Sequence, residues 1–177
     1  FYIVRLTEEG QYALGHVLEH IAYMTEEFQE LSYLLITATF FIREEWKKTL
    51  YYARKLEKIA REGEHYGRAL VYQSLALQRL GSSLEEVLAL IDRYEQVSDY
   101  YAGAAIGNRF CVFLDFGQFE YVDEYLNWLE SRDDIFAGLP RVLEAYVHLH
   151  RLEDVERLLH RFQDVIQDWA ASIHPYQ

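Results

Sequence analysis

Three features of this sequence predict an all-α fold, built as a right-handed superhelical stack of antiparallel helix hairpins. Only two prolines and nine glycines occur in 177 residues. The stretches between them are rich in Leu, Glu, Arg, Ala and Tyr, which favour helix over strand. Within them, Ala69 to Val97 reads as a complete hairpin. Leu70, Leu77 and Leu80 mark its first helix, Gly81-Ser82-Ser83 its turn, and a serine followed three residues later by Glu85 or Glu86 opens the second helix with a capping box. The apolar residues Leu84, Val87, Leu88, Ile91 and Tyr94 then fall on one side of that helix. This pattern returns twice downstream. Leu84, Phe119 and Leu152 are 35 and 33 residues apart, and four more positions keep the same step. They are Glu85/Glu120/Glu153, Val87/Val122/Val155, Ile91/Leu126/Leu159 and Tyr94/Leu129/Phe162.

Taken in order, the chain reads as one helical-repeat domain over 1–177. Residues 1–24 form an N-terminal tail and helix, and hairpins follow at 25–65, 66–98, 99–132 and 133–171. Thr7 caps a helix that runs to about Met24. Thr25-Glu26-Glu27 starts the next, covering Phe28 to Ile42. Arg43-Glu44-Glu45 leads into Trp46, Leu50, Ala53, Leu56 and Ile59, an amphipathic run that ends near Gly63. The Ala69–Val97 hairpin follows. Tyr100 to Phe116, a turn at Gly117-Gln118 and Phe119 to Leu129 make the next hairpin. In the last one Pro140 is expected in the first turn of its first helix, His150-Arg151 takes the turn, and Leu152 to Trp169 closes the chain.

Charge and composition exclude several functions. With 51% hydrophobic residues the chain can fill a continuous core. Lys and Arg total 17 against 29 Asp and Glu, a formal charge of -12. Direct binding to nucleic acid or to an anionic membrane is therefore disfavoured, and a groove ligand is expected to be neutral or basic overall. The single cysteine, Cys111, excludes an internal disulfide and a multi-cysteine zinc site, which suits a reducing cytoplasm. Leu31 to Ile42, the longest uncharged run, is too short to span a bilayer.

A period near 34 with a helix-turn-helix in each unit resembles the tetratricopeptide repeat over about Phe28 to Trp169. The turn glycine is present as Gly81 and Gly117 and replaced by His150. The small residue expected seven positions before it is Ser74 in one unit, but Phe110 and Leu143 in the others. Such divergence is similar to that of the repeat domains in peptide-sensing bacterial regulators, whose N-terminal part binds DNA. Tyr2 to Gly10, with its Leu6-Thr7-Glu8-Glu9-Gly10 step, resembles the last wing strand and following helix start of winged-helix DNA-binding domains. A frayed tail on a repeat helix is the other reading. A chain that begins at Phe1 also fits a piece of something longer.

No residue pattern demands catalysis. His16-Val17-Leu18-Glu19-His20 has the His-x-x-Glu-His spacing of the inverted zinc proteases, in which two histidines four apart on a helix chelate one metal beside a glutamate base. No downstream segment supplies the third ligand, so a metal-dependent hydrolase using His16, Glu19 and His20 is the distant alternative. No metal or cofactor is expected. Glu62 and His65 have the spacing of a di-iron motif, but Gly63 interrupts it and the motif would be needed twice. His148, His150 and His160 read as surface or turn residues, and Cys111, among Phe110, Val112 and Phe113, reads as packing.

Stacked hairpins line a concave groove with the first helix of each unit. Spaced back from the turns, the groove-side polar residues are Thr39 and Arg43, then Gln78, then Asn108 and Asp115, then Arg141, Glu144 and His148. Asn108 stands out, because a side-chain amide can bracket a peptide backbone with a donor and an acceptor. The resemblance implies this use of asparagine. The expected function is a non-enzymatic peptide- or protein-binding module, the ligand-sensing or dimerisation part of a larger transcription regulator, with a homodimer among the expected assemblies. The alternative is a constitutive protein-protein scaffold.

Overall fold

The computed structural model describes residues 15–132 and 135–163, and among them every regular element is helical. The described part of α1 (15–20) runs into a short 3-10 turn, Ile21–Tyr23. Then come α2 (Glu26–Ile42), α3 (Trp46–Ala60), α4 (Gly63–Arg79), α5 (Leu84–Glu95) and α6 (Asp99–Asp115). A second 3-10 turn, Phe119–Tyr121, leads into α7 (Val122–Ser131), followed by α8 (Ile135–His148) and α9 (Leu152–Arg161). The all-α expectation holds. The strand suggested by Tyr2 to Gly10, the Thr7 cap and the stretch of the last helix toward Trp169 lie outside the described residues.

Four chain reversals share one hydrogen-bonded form. They separate α2 from α3, α4 from α5, α6 from the 3-10 turn before α7, and α8 from α9. In each, one residue takes a left-handed φ: Glu44 at 58°, Gly81 at 78°, Gly117 at 78° and His150 at 57°. Its N–H donates three residues back, and the next N–H donates five residues back. Gly81 N donates to the Gln78 carbonyl at 3.2 Å and Ser82 N to that of Leu77 at 3.0 Å. Gln118 reaches Phe113 at 2.9 Å, Arg151 reaches Tyr146 at 2.8 Å, and Glu45 reaches Phe40 at 2.9 Å. This pair of hydrogen bonds satisfies carbonyls that every helix end leaves open. The substitution of His150 for glycine therefore keeps the turn, and Glu44 makes the same turn where the sequence showed only charge. After the second reversal, the Ser83 hydroxyl oxygen accepts from Glu86 N at 3.3 Å and the Glu86 carboxylate accepts from Ser83 N, completing the expected capping box.

Several boundaries differ from expectation for local reasons. Gly63, at φ 77°, begins α4 rather than ending α3, so the helix starts six residues before Ala69. Arg61, also left-handed at φ 54°, closes α3, and its N–H bonds the Glu57 carbonyl at 3.3 Å. Glu62 is the residue before the helix, so Glu62 and His65 do not form a helical pair. His65 instead meets Glu30 of α2 at 2.5 Å. α8 begins at Ile135, which puts Pro140 inside it beyond the first turn. The helix forgoes one hydrogen bond there.

The chain divides into two compact units, 1–112 and 113–177, within α6. In the first, α2 packs on α3, α3 on α4, α4 on α5, and α2 also on α4. Leu34, Leu56 and Ala69 form one core cluster, and Ile21, Ile36 and Phe40 another. Close approach of α4 and α6 depends on Gly67, where a Cβ would lie 2.5 Å from the Tyr101 ring. The Tyr101 hydroxyl donates to the Glu64 carbonyl at 2.8 Å. In the second unit α7 packs on α8 and α8 on α9. Val122, Tyr125, Leu129, Val142, Ala145, Tyr146 and Leu158 are buried there.

The shared second-helix register meets the core in two helices. Val87, Ile91 and Tyr94 of α5 are buried, as are Val122, Leu126 and Leu129 of α7. In α9 it fails. Leu152 and Leu159 are exposed, Val155 is half-buried, and Leu158 takes the buried position one residue away.

Candidate functional site

The first-helix residues chosen from the sequence fall into two groups. In the first unit, Thr39 and Arg43 lie at the end of α2, Gln78 at the end of α4, and Asn108 past the middle of α6. Thr39 donates to the Leu35 carbonyl at 2.8 Å, and Arg43 pairs with Glu45 at 2.8 Å. Asn108 is half-buried, and its amide donates to the Tyr94 hydroxyl at 2.8 Å. Burial raises the Tyr94 phenol to about 12 despite that bond, so this hydroxyl stays protonated and oriented. Beside it, Arg109 bonds Asp92 at 2.8 Å and Glu95 at 2.9 Å.

In the second unit, Arg141 of α8 pairs with Asp115 at the end of α6. Glu144 is exposed one turn on. His148 stacks flat on Phe119, ring centroids 4.4 Å apart. The structure thus brings Asp115 to Arg141 and engages Asn108 with its own fold.

His16, Glu19 and His20 lie together on the exposed face of α1, with one ligand atom from each within 4.8 Å of the others. The two imidazole rings stack at 5.2 Å, and His20 Nδ1 lies 2.9 Å from the His16 carbonyl. Among the described residues no other group of three or more metal-donor side chains comes together. Cys111 is half-buried and free of disulfide.

No family model, curated protein or solved structure matches the chain. No described helix is long and apolar enough to cross a membrane.

Two features escaped the sequence reading. The first is a polar tie across three helices. Glu57 of α3 accepts from Gln73 of α4 at 2.7 Å and from Arg93 of α5, which also donates to the Tyr66 hydroxyl at 2.9 Å. Burial alone would raise the Glu57 carboxyl, but the bonds from Arg93 and Gln73 outweigh it and hold the group below its ordinary 4.5. Gln73 is 4% exposed, and no residue spacing marks it as a partner of Glu57.

The second is a cleft of about 520 Å³ along the outer side of α3, lined by Lys47, Leu50, Tyr51, Arg54, Lys55, Lys58 and Leu80. All four lysines of the chain lie on α3, at 47, 48, 55 and 58. With Arg54 they face one carboxylate on that helix, Glu57. Counting charge by segment rather than over the whole chain would have exposed this.

Proposed function

We propose that the chain is a peptide- or protein-binding module of tetratricopeptide type, serving as the ligand-sensing or dimerisation part of a larger transcription regulator and catalysing no reaction. The observation that carries the reading is the reversal repeated at Glu44, Gly81, Gly117 and His150. One turn geometry used four times gives hairpins of one kind, and hairpins of one kind stack on their neighbours. In the first unit the first helices also meet one another, α2 on α4 and α4 on α6 through Gly67 and Tyr101. Lateral contact of first helices is what a continuous ligand face requires. On such a face of the first unit Arg43, Gln78 and Asn108 offer donors and acceptors to an extended or helical segment, and within the second unit Arg141 and Glu144 do so separately. The regulator role rests on the resemblance of Tyr2 to Gly10 to a wing strand.

The test is a peptide selected by display on the full chain, then titrated against wild type, Arg43→Ala, Asn108→Ala and Arg141→Ala. Loss of a charge-assisted contact is expected to weaken binding roughly tenfold to a hundredfold. Because Asn108 also holds Tyr94, its variant is compared at a temperature where a melt shows it folded. Equal affinity in all four proteins moves the ligand off the first helices and favours the standing scaffold.

A further inference from the structure

The α3 cleft lies on a second helix, and Leu80 at the end of α4 is the lining residue from outside it. Lys47, Tyr51, Arg54, Lys55 and Lys58 follow one another at three- and four-residue steps, with a one-residue step at Arg54-Lys55, so they share one face of α3. Lys47, Arg54, Lys55 and Lys58 are all exposed; the carboxylates nearest them in the chain, Glu45 and Glu57, are taken by Arg43, Lys48 and Arg93, although the Arg54 charge also acts on Glu57. Lys55 lies over the Tyr51 ring at 5.6 Å. Between the cations the floor is apolar. Leu50 is half-buried, Tyr51 is 55% exposed, and Leu80 reaches in from the end of α4 at 38%.

A helix surface of a chain with charge -12 gains nothing in solubility from collecting three of its four lysines and an arginine on one face over an exposed tyrosine and leucine. Like charges so placed repel one another and are relieved by an anionic ligand. The apolar floor makes that ligand more than a polyanion. We propose that the α3 cleft binds an acidic peptide segment, carboxylates meeting Lys47, Arg54, Lys55 and Lys58, and a Leu or Phe side chain seated on Leu50, Tyr51 and Leu80. The net negative charge of the whole molecule disfavours nucleic acid at the same place, since the approaching phosphate chain extends beyond the short basic strip. A protein segment with a few carboxylates around an apolar residue matches both the length and the chemistry.

Two fluorescein-labelled peptides of roughly twelve residues, enough to span about 40 Å when extended, supply the probe. One carries aspartates and glutamates around a central Leu-Phe pair, and the other is oligoglutamate. Anisotropy titrations use the full chain, the double variant Lys55→Glu/Lys58→Glu and the single variant Tyr51→Ser. All three positions are exposed, so the fold is not at stake. The Leu-Phe peptide is expected to bind wild type at least tenfold tighter than oligoglutamate, to lose at least tenfold in each variant, and to weaken as salt rises. A thymidine oligonucleotide of similar length is expected to bind more weakly than the peptide. The proposal is overturned by absence of peptide binding, by equal binding in the double variant, by oligoglutamate equalling the Leu-Phe peptide, or by tighter oligonucleotide binding. Arg43, Asn108 and Arg141 take no part, so the first-helix reading stands or falls separately.

Discussion

Glu44 and His150 hold the left-handed conformation that glycine holds at Gly81 and Gly117. A side chain there crowds the following carbonyl at a cost of roughly 1 to 2 kcal/mol, which glycine avoids. Glu44→Gly and His150→Gly are therefore each expected to stabilise the chain by about 0.5 to 1 kcal/mol, and Gly81→Ala to destabilise it by about 1 kcal/mol. Denaturant unfolding of the three variants checks this, and destabilisation by either glycine would show that the side chain, not the turn, is what matters there. The glycine turns were legible as sequence punctuation. Glu44 was not, because the hydrogen-bonding of Glu44 and Glu45 N–H to Phe41 and Phe40 leaves no signature in residue type. Asn108 was chosen for its amide, and the amide proved to be spent in part on Tyr94. That partner lies fourteen residues back, on the preceding helix.

At the scale of the helices, the second-helix register was readable in α5 and α7. Val122 is fully buried, and Val122→Asp places a carboxylate there with no partner. The cost is several kcal/mol, comparable to the stability of a small domain. Thermal melting is expected to show loss of the cooperative transition of the second unit, and a melt within a degree or two of wild type would contradict the register. α9 shows the limit of pattern reading. The apolar residues Leu152, Val155, Leu158 and Leu159 can be aligned with α7 in one register, but the helix turns Leu158 inward and leaves Leu152 and Leu159 exposed. Periodicity defines a stripe, and packing decides which edge of the stripe is covered. Gly67 was equally silent. Its role is the space taken by the Tyr101 ring 34 residues later, and Gly67→Ala is expected to cost about 1 to 3 kcal/mol by overpacking. Unfolding midpoints measure it, and a neutral substitution would mean that α4 and α6 do not meet closely.

Across the whole molecule, ion pairs between helices set the response to pH. Glu57 is held below its ordinary range by Arg93 and Gln73 against burial, and Asp123 is lowered by the hydrogen bond from Arg151. A carboxylate lowered in the folded state stabilises above its unfolded value, and that contribution is lost as pH falls through the folded value. Tyr94, raised to about 12, works at the other end, its contribution fading as pH rises beyond about 10. Melting temperature is expected to be flat between about pH 5 and pH 9.5 and to fall on both sides, with a shallower acid limb in Glu57→Gln. An unchanged melt from pH 7 to pH 3 would contradict this. The all-α class was legible because helix propensity and apolar period agree along the chain. Net charge was a poorer guide. A total of -12 conceals a helix on which five cations face one carboxylate, since a sum over the chain carries no position.

The central claim, that the first helices of the hairpins present the ligand face, is tested most directly by hydrogen–deuterium exchange of the full chain with and without a bound peptide. The peptide is selected by display on Lys55→Glu/Lys58→Glu, so that the α3 cleft plays no part. Slowed exchange is predicted at amides of the first helices α2, α4, α6 and α8. Slowing confined to α3, α5, α7 and α9, or no slowing at any first helix, would contradict the account.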